Sequence, residues 1–133
     1  MTAPATRPAA ALIVDDEPDH ALIIRHLLGE LAPGLPIEVI GTAADLDARL
    51  RDAPGGALVL CDRLLAGTEV LPTLRGVAGE RSDLTIALLS AWLSDEDRIR
   101  AMEAGATHAA QKPATLGEWR TLLGDLLQAA TPA

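Results

Sequence analysis

Five polar residues follow apolar stretches of this chain, and their types are suited to phosphoryl chemistry. Asp15 and Asp16 follow one apolar run, Asp62 ends a second, Ser90 ends a third, and Lys112 follows a weaker fourth. Each run has the length of a strand and is bounded by turn residues, which is typical of a buried strand. Because the carboxyl ends of parallel strands meet at one edge of a sheet, we expect these side chains to converge there.

The three carboxylates would raise one another's pKa unless a cation neutralised them. Mg²⁺ prefers oxygen ligands and keeps water and phosphate oxygens in its shell, so we expect it as the cofactor. Asp62 would then be the nucleophile that accepts a phosphoryl group. Ser90 and Lys112 would hold the transferred oxygens, by a hydrogen bond and by charge.

Five predicted strands alternate with five predicted helices. Apolar runs of strand length cover 9–14, 37–40, 58–62, 84–90 and 107–111. Apolar residues at helical spacing follow each run, and capping signals begin the last four helices at Thr42, Thr68, Ser94 and Thr115. This alternation predicts an α/β fold with a doubly wound, five-stranded parallel sheet and helices on both faces.

Composition limits the class of protein. The 133 residues are 49% hydrophobic, which fits one domain with a substantial core. A net charge of −8 argues against direct binding of nucleic acid. The single cysteine, Cys61, cannot form an internal disulfide, so we expect a cytoplasmic location. No apolar run is long enough for a membrane span, and the start does not resemble a signal peptide, so no membrane association is expected.

We divide the chain into a leader at 1–8, a single domain at 9–128 and a tail at 129–133. The leader is rich in Ala, Thr and Pro and lacks periodicity, so we expect it to be disordered. No internal repeat or linker divides the domain. The Ala- and Pro-rich ends favour a complete protein.

The chain closely resembles the receiver domain of two-component response regulators, the CheY-like type, over about residues 9–128. The motifs are IVDDE at 13–17, LCD at 60–62, LSA at 89–91, GA at 105–106 and KP at 112–113. Each motif is weak alone, but their order is specific, with Asp62 28 residues before Ser90 and Lys112 22 residues after it. The resemblance implies a flavodoxin-like sheet with strand order 2-1-3-4-5.

The resemblance also implies a metal site and a phosphorylation site. Asp62 would be phosphorylated by a histidine kinase. Asp16, Asp62 and the backbone carbonyl of Leu64 would bind Mg²⁺, and Asp15 would act through a water. The domain would catalyse its own phosphorylation and dephosphorylation but would have no separate substrate, so we do not expect an enzyme in the ordinary sense.

Signalling follows from the same resemblance. Ser90 would move to bond the phosphoryl group, Lys112 would pair with it, and Pro113 would follow a cis peptide bond. The signal would reach a downstream protein or phosphotransfer partner through the fourth helix, fifth strand and fifth helix. Family members often form homodimers through that surface.

Several positions depart from the family pattern. Ala109 stands where an aromatic residue usually lies three residues before the lysine, and Leu65–Ala66 replaces a Met-Pro pair. Val70 replaces a common glycine after Glu69. The usual switch must therefore differ, or involve Trp92. The departures indicate a stand-alone regulator such as those paired with phytochrome-type kinases.

Two other functions stay open at this point. A small Mg²⁺-dependent phosphohydrolase of the haloacid-dehalogenase kind also uses an aspartate nucleophile, but it usually needs a second acid where this chain has Leu64. A receiver that no longer uses phosphate could serve as a binding module. His20 and His26 lie six residues apart, which is not a metal-ligand spacing, so we expect both to be solvated helix residues.

Overall fold

Five parallel strands form the central sheet of the computed structural model, which describes residues 7–131. The strands are β1 (Ala11–Val14), β2 (Ile37–Ile40), β3 (Leu58–Asp62), β4 (Thr85–Ser90) and β5 (His108–Gln111). Their order across the sheet is β2-β1-β3-β4-β5, and every neighbouring pair is parallel. The predicted doubly wound sheet and its strand order are confirmed.

Five helices cover the two faces of the sheet. They are α1 (Pro18–Leu31), α2 (Leu46–Arg51), α3 (Leu71–Glu80), α4 (Asp95–Glu103) and α5 (Leu116–Ala130). Buried side chains of α1 and α5 form one core cluster, and buried side chains of α2, α3 and α4 contribute to the other. Right-handed crossovers between parallel strands produce this two-sided arrangement.

Strand β3 contributes to both cores. Leu58 and Leu60 belong to the cluster with α1 and α5, whereas Val59 and Cys61 belong to the cluster with α2, α3 and α4. All four side chains are buried, because successive residues of a strand point to opposite faces. This double burial explains the continuous apolar run before Asp62.

Two of the four predicted helix caps are present. Ser94 and Asp97 form a reciprocal capping box at the start of α4, and the Thr115 hydroxyl accepts from the Glu118 N–H at the start of α5. The prediction at Thr42 is wrong, because α2 begins after Asp45 without a side-chain cap. Backbone contacts and burial of α2 therefore decide where it starts.

The predicted cap at Thr68 is also wrong, because a short antiparallel hairpin occupies this stretch. Its arms are Leu64–Leu65 and Thr68–Glu69, and α3 begins only at Leu71. The turn places Ala66 and Gly67 at positive φ, 50° and 83°. The Val70 N–H donates to the Arg63 carbonyl across the base of the hairpin, 3.1 Å away, so the hairpin is closed before the helix starts.

Gly105 allows β5 to follow α4 closely. Its φ is +99°, and an added Cβ would lie 2.3 Å from the Cβ of Ala78 on α3. Only glycine satisfies both the left-handed backbone and this close approach. The turn is thus part of what brings β5, and the lysine after it, into the sheet.

The ends of the described chain are packed against the domain. Pro8 is buried, and Arg7 donates to the Pro33 carbonyl, so these two residues of the predicted leader are in contact with the fold. Helix α5 continues to Ala130, two residues into the predicted tail. The predicted disorder of 1–6, like residues 132–133, lies outside the described residues. Within the described part of the chain, no helix is both long and apolar enough to cross a bilayer.

Candidate functional site

An open cleft of about 310 Å³ lies at the carboxyl edge of the sheet. Its lining comes from the carboxyl ends of β1, β3, β4 and β5 and the segments that follow them: Asp16, Glu17, His20, Asp62, Leu64, Ser90, Ala91 and Lys112. Asp15 lies buried beside them. The structure therefore brings together all six residues that the sequence singled out.

Three carboxylates form the acidic part of this cleft. One carboxylate oxygen from each of Asp15, Asp16 and Asp62 lies within 4.8 Å of the others. The Asp15 carboxylate also accepts from the Glu17 N–H, 2.9 Å away, and this bond fixes its orientation. Asp15 is buried and Asp16 is exposed, so the cluster extends from the interior to the mouth of the cleft. Such a set of oxygen donors is suited to a hard divalent cation.

The environment of Asp62 disfavours its charge. Burial raises the pKa of the Asp62 carboxyl, and Lys112 partly opposes this effect by charge and by a hydrogen bond. The Asp15 carboxylate acts in the same direction as burial. A cation beside Asp62 would therefore relieve an unfavourable charge at this position.

Three polar atoms lie close to the ammonium of Lys112 in the cleft. Its Nζ lies 3.1 Å from Oδ2 of Asp15, 3.2 Å from Oδ2 of Asp62 and 3.1 Å from Nδ1 of His20. The side chain is 9% exposed. The Lys112 N–H donates to the Ser90 carbonyl, 2.7 Å away, so pairing with β4 fixes the main chain at the lysine.

The peptide bond before Pro113 is trans. No peptide bond within residues 7–131 is cis, so the expected cis bond is wrong here. The lysine nevertheless reaches both Asp15 and Asp62. Pairing of its main chain with β4 is sufficient to direct it into the cleft.

His20 is the residue of the cleft that sequence reasoning missed. It lies in the first turn of α1, three residues after Glu17, and its ring contacts Lys112 and approaches Asp15 to 3.8 Å. Its side chain is 36% exposed, as expected of a solvated helix residue, but its contact with Lys112 was not expected. His26 faces outward and pairs with Glu30. The sequence did contain a signal for this placement. His20 comes shortly after Asp15 and Asp16, and the helix after β1 starts at the carboxyl edge of the sheet, where the cleft lies.

The Ser90 hydroxyl lines the cleft but is turned away from Asp62. It donates to the Trp92 carbonyl, 2.7 Å away. Ser90 pairs one residue beyond Leu89, the partner of Asp62 in the adjacent strand. A rotation of its side chain would be needed before it could bond a group carried by Asp62. Trp92 itself is strongly exposed at the rim.

Arg63 connects the end of β3 with two neighbouring elements. Its guanidinium lies 3.1 Å from Asp97 on α4 and 3.3 Å from Glu69 of the hairpin. Its main-chain N–H donates to the Leu89 carbonyl, 3.0 Å away. The residue next to Asp62 is thus fixed to the first turn of α4.

A separate cleft of about 400 Å³ lies beside the position where the family pattern has an aromatic residue, between α4 and α5. Ala109 stands at this position and is buried. Ala87, Ala110 and Leu122 contribute to the lining of this cleft. Within the described residues, the one ring that lines this cleft is that of His108, next to Ala109, and it is not the aromatic residue of the family pattern.

Comparisons with known proteins agree with this geometry. A family model described as the response regulator receiver domain matches residues 11–123. The two-component response regulator PprB of Pseudomonas aeruginosa is 30% identical over 116 residues, which cover 85% of this chain. They cover only 42% of PprB, so the chain spans less than half of that relative.

Solved structures show the same fold at low sequence identity. The Mn²⁺-bound form of response regulator Rcp1 has a TM-score of 0.78 and 16% identity, covering 95% of this chain and 100% of that one. The beryllofluoride-activated NtrC4 receiver domain dimer has a TM-score of 0.73 and 14% identity, covering 92% and 99%. At such identities the likeness concerns the fold alone.

Proposed function

This chain belongs to the receiver-domain family of two-component response regulators, and we propose that it accepts a phosphoryl group from a histidine kinase onto Asp62. One observation carries the proposal: the Asp62 carboxylate lies in an open acidic cleft, 3.2 Å from the only lysine of the chain. Transfer of a phosphoryl group onto an aspartate requires a carboxylate that acts as the nucleophile and a fixed positive charge that balances the phosphoryl oxygens.

In the proposed transfer, the bond from phosphorus to the imidazole nitrogen of the kinase breaks as a bond to an Asp62 oxygen forms. The imidazole leaves with the electron pair and takes a proton from solvent. Lys112 balances charge on the phosphoryl oxygens. Ser90 gives up its bond to the Trp92 carbonyl and donates to one of those oxygens. Hydrolysis of the acyl phosphate by water then restores Asp62.

We propose Mg²⁺ as the cofactor, held by Asp16, Asp62 and the backbone carbonyl of Leu64, with Asp15 acting through a water. The proximity of the three carboxylate oxygens supports this choice, as does the hardness of these ligands. The similar fold of Rcp1 holds Mn²⁺, another divalent cation. When bound, Mg²⁺ neutralises charge that develops on the phosphoryl oxygens.

Phosphorylation with acetyl phosphate and Mg²⁺ tests the proposal. We expect intact-mass measurement to show a gain of one phosphoryl group in the wild-type protein and none in Asp62→Asn. Asp19→Asn is the matched control, because Asp19 is exposed on α1 and does not line the cleft. A gain that survives Asp62→Asn would contradict the proposal.

The same experiment separates the two other functions. A phosphohydrolase would release phosphate from p-nitrophenyl phosphate over many cycles, whereas a phosphorylation-independent binding module would gain no mass. The structure gives no support to the hydrolase, because the side chain two residues after Asp62 is Leu64, which is 51% exposed. We therefore propose self-phosphorylation and self-dephosphorylation without a separate substrate.

We propose two kinds of partner: a histidine kinase, and a downstream protein or phosphotransfer partner. Among kinases we propose the phytochrome type, because Ala109 departs from the usual family pattern. Transfer rates from a panel of kinases would test the choice of kinase. We also propose a cytoplasmic location, and a domain at 9–128 that contains the matched residues.

We propose a homodimer through α4, β5 and α5, because apolar side chains are exposed on this surface. Ile99 and Met102 project from α4 and Leu116 from α5, all largely exposed. The similar NtrC4 receiver domain forms a dimer in its activated state. Sedimentation with and without beryllofluoride should show a dimer that Met102→Glu weakens. Leu22→Glu, on α1, is the control, and a monomer at all concentrations would contradict the proposal.

A further inference from the structure

His20 occupies a position that the proposed phosphoryl transfer does not explain. Its imidazole lines the cleft beside Asp62, and its Nδ1 lies 3.1 Å from Nζ of Lys112. We propose that His20 is a positioning residue: it accepts a hydrogen bond from Lys112 and holds the ammonium group between Asp15 and Asp62. The inference rests on the proposed function of Asp62.

Counting donors and acceptors supports this role. A lysine ammonium has three N–H donors. Three acceptors lie at 3.1–3.2 Å from Nζ: Oδ2 of Asp15, Oδ2 of Asp62 and Nδ1 of His20. The lysine side chain is almost completely buried, so water has little access to replace a lost acceptor. His20 therefore completes the set of partners that fixes the ammonium in one place.

The proposed hydrogen bond requires one tautomer of the ring. Because Nδ1 accepts from Lys112, the proton of the neutral ring belongs on Nε2. Nε2 lies 3.5 Å from the Glu17 carboxylate, three residues earlier on the same helix. Glu17 thus lies near the outer side of the imidazole while Lys112 contacts its inner side. The helix thus presents a fixed acceptor to a lysine 92 residues further along the chain.

The neutral character of this acceptor matters for transfer. A hydrogen bond to a neutral ring is weaker than an ion pair with a carboxylate, so the donor aimed at His20 is the one most easily released. That donor can turn toward a phosphoryl oxygen while Lys112 keeps its bond to Asp15. Without His20, the ammonium would lose its third partner and its starting position.

The single lysine makes a direct measurement possible. In protein labelled with ¹⁵N-lysine, Lys112 gives the only side-chain ammonium signal. We expect His20→Leu to change its Nζ chemical shift and to accelerate its proton exchange with water about fivefold, the factor for one hydrogen bond. His20→Asn, which keeps an acceptor near Nδ1, should restore both. His26→Leu, on the exposed side of α1, should change neither.

Transfer rates provide the functional readout. We expect His20→Leu to lower the rate constant for phosphorylation by acetyl phosphate about fivefold, and His20→Asn to recover most of that loss. A wild-type rate in His20→Leu, or a lowered rate with an unchanged lysine signal, would overturn the proposal. Circular dichroism of each variant is the control that tests whether the fold is retained.

The wild-type protein offers a test without a variant. Long-range ¹⁵N spectra of His20 should show an unprotonated Nδ1 and a protonated Nε2. A proton on Nδ1 would overturn the proposal, because that nitrogen could not then accept from Lys112. Neither spectrum depends on phosphorylation, so failure of Asp62 to accept a phosphoryl group would be recognised separately.

Discussion

The guanidinium of Arg63 lies 3.1 Å from the carboxylate of Asp97, and this ion pair joins the loop after Asp62 to the first turn of α4. Asp97 also accepts from the Ser94 N–H within the capping box. Its pKa is lowered, first by this backbone hydrogen bond, then by the hydrogen bond with the Ser94 side chain, and less by the charge of Arg63. The side chain that follows the proposed phosphoacceptor therefore takes part in fixing the start of a signalling helix.

We predict that Arg63→Gln loosens the first turn of α4. Amide hydrogen exchange there should be about two- to fivefold faster, the range for loss of a partly buried ion pair. The pKa of Asp97 should rise only slightly, because the hydrogen bonds with Ser94 that lower it most are kept, and side-chain NMR can follow the change. Arg100→Gln is the matched control, because it breaks a more exposed pair with Glu96 on the same helix. Equal effects of the two substitutions would contradict the prediction.

We predict that Asp62→Asn raises the melting temperature in metal-free buffer at neutral pH. Burial raises the pKa of Asp62, so the ionised carboxylate is less favourable in the fold than in the unfolded chain. This penalty is absent below the ordinary pKa, grows as the pH rises from the ordinary pKa to the folded pKa, and is complete above the folded value. The difference between variant and wild type should therefore shrink below about pH 4. A difference that grows with acid would contradict the argument.

We predict that Mg²⁺ stabilises the protein through Asp16. At a concentration ten times its dissociation constant, a ligand of the folded state adds about 1.4 kcal/mol to the free energy of unfolding. Asp16→Asn should lose most of this increment, and chelation should reverse it in the wild type. Asp19→Asn, three residues away and outside the acidic cluster, should keep it. Thermal unfolding with and without MgCl₂ measures all three.

We predict that Gly105→Ala is more harmful than Gly56→Ala. Both glycines have positive φ, but an added Cβ at Gly56 meets no atom within 4 Å, whereas at Gly105 it meets Ala78 at 2.3 Å. Backbone strain alone should cost Gly56→Ala about 1–2 kcal/mol. The added clash should bring the cost at Gly105 to about 2–4 kcal/mol. Urea unfolding of the two variants gives the comparison.

Much of the fold could be predicted because buried parallel strands are visible in the sequence. The run before Asp62 is apolar at every position, since its side chains face two cores, and polar residues begin where the strand ends. The same logic placed Asp15, Ser90 and Lys112 at one edge. These features depend on local composition and on a general rule of parallel sheets.

What the sequence did not indicate depends on distant contacts. Thr68 is a suitable cap by residue type, yet the hairpin bond from Val70 to Arg63 takes precedence over a helix there. The positive φ of Ala66 has no signal in its residue type. His20 acquires its role only because Lys112 folds back against it. Such pairings appear only when elements far apart in the chain are assembled.

The side chains of β3 are buried on alternate faces of the sheet, and this limits which mutations the strand can accept as well as stabilising the fold. Removing one residue between Leu58 and Asp62 would exchange the side chains assigned to the two cores and turn the terminal carboxylate to the opposite face. Point substitutions that preserve volume can accumulate along this strand, whereas an insertion or deletion would destroy packing and chemistry in one step. Related sequences should therefore keep the length of β3 and its terminal Asp62, while the four buried residues before it exchange for apolar residues of similar volume.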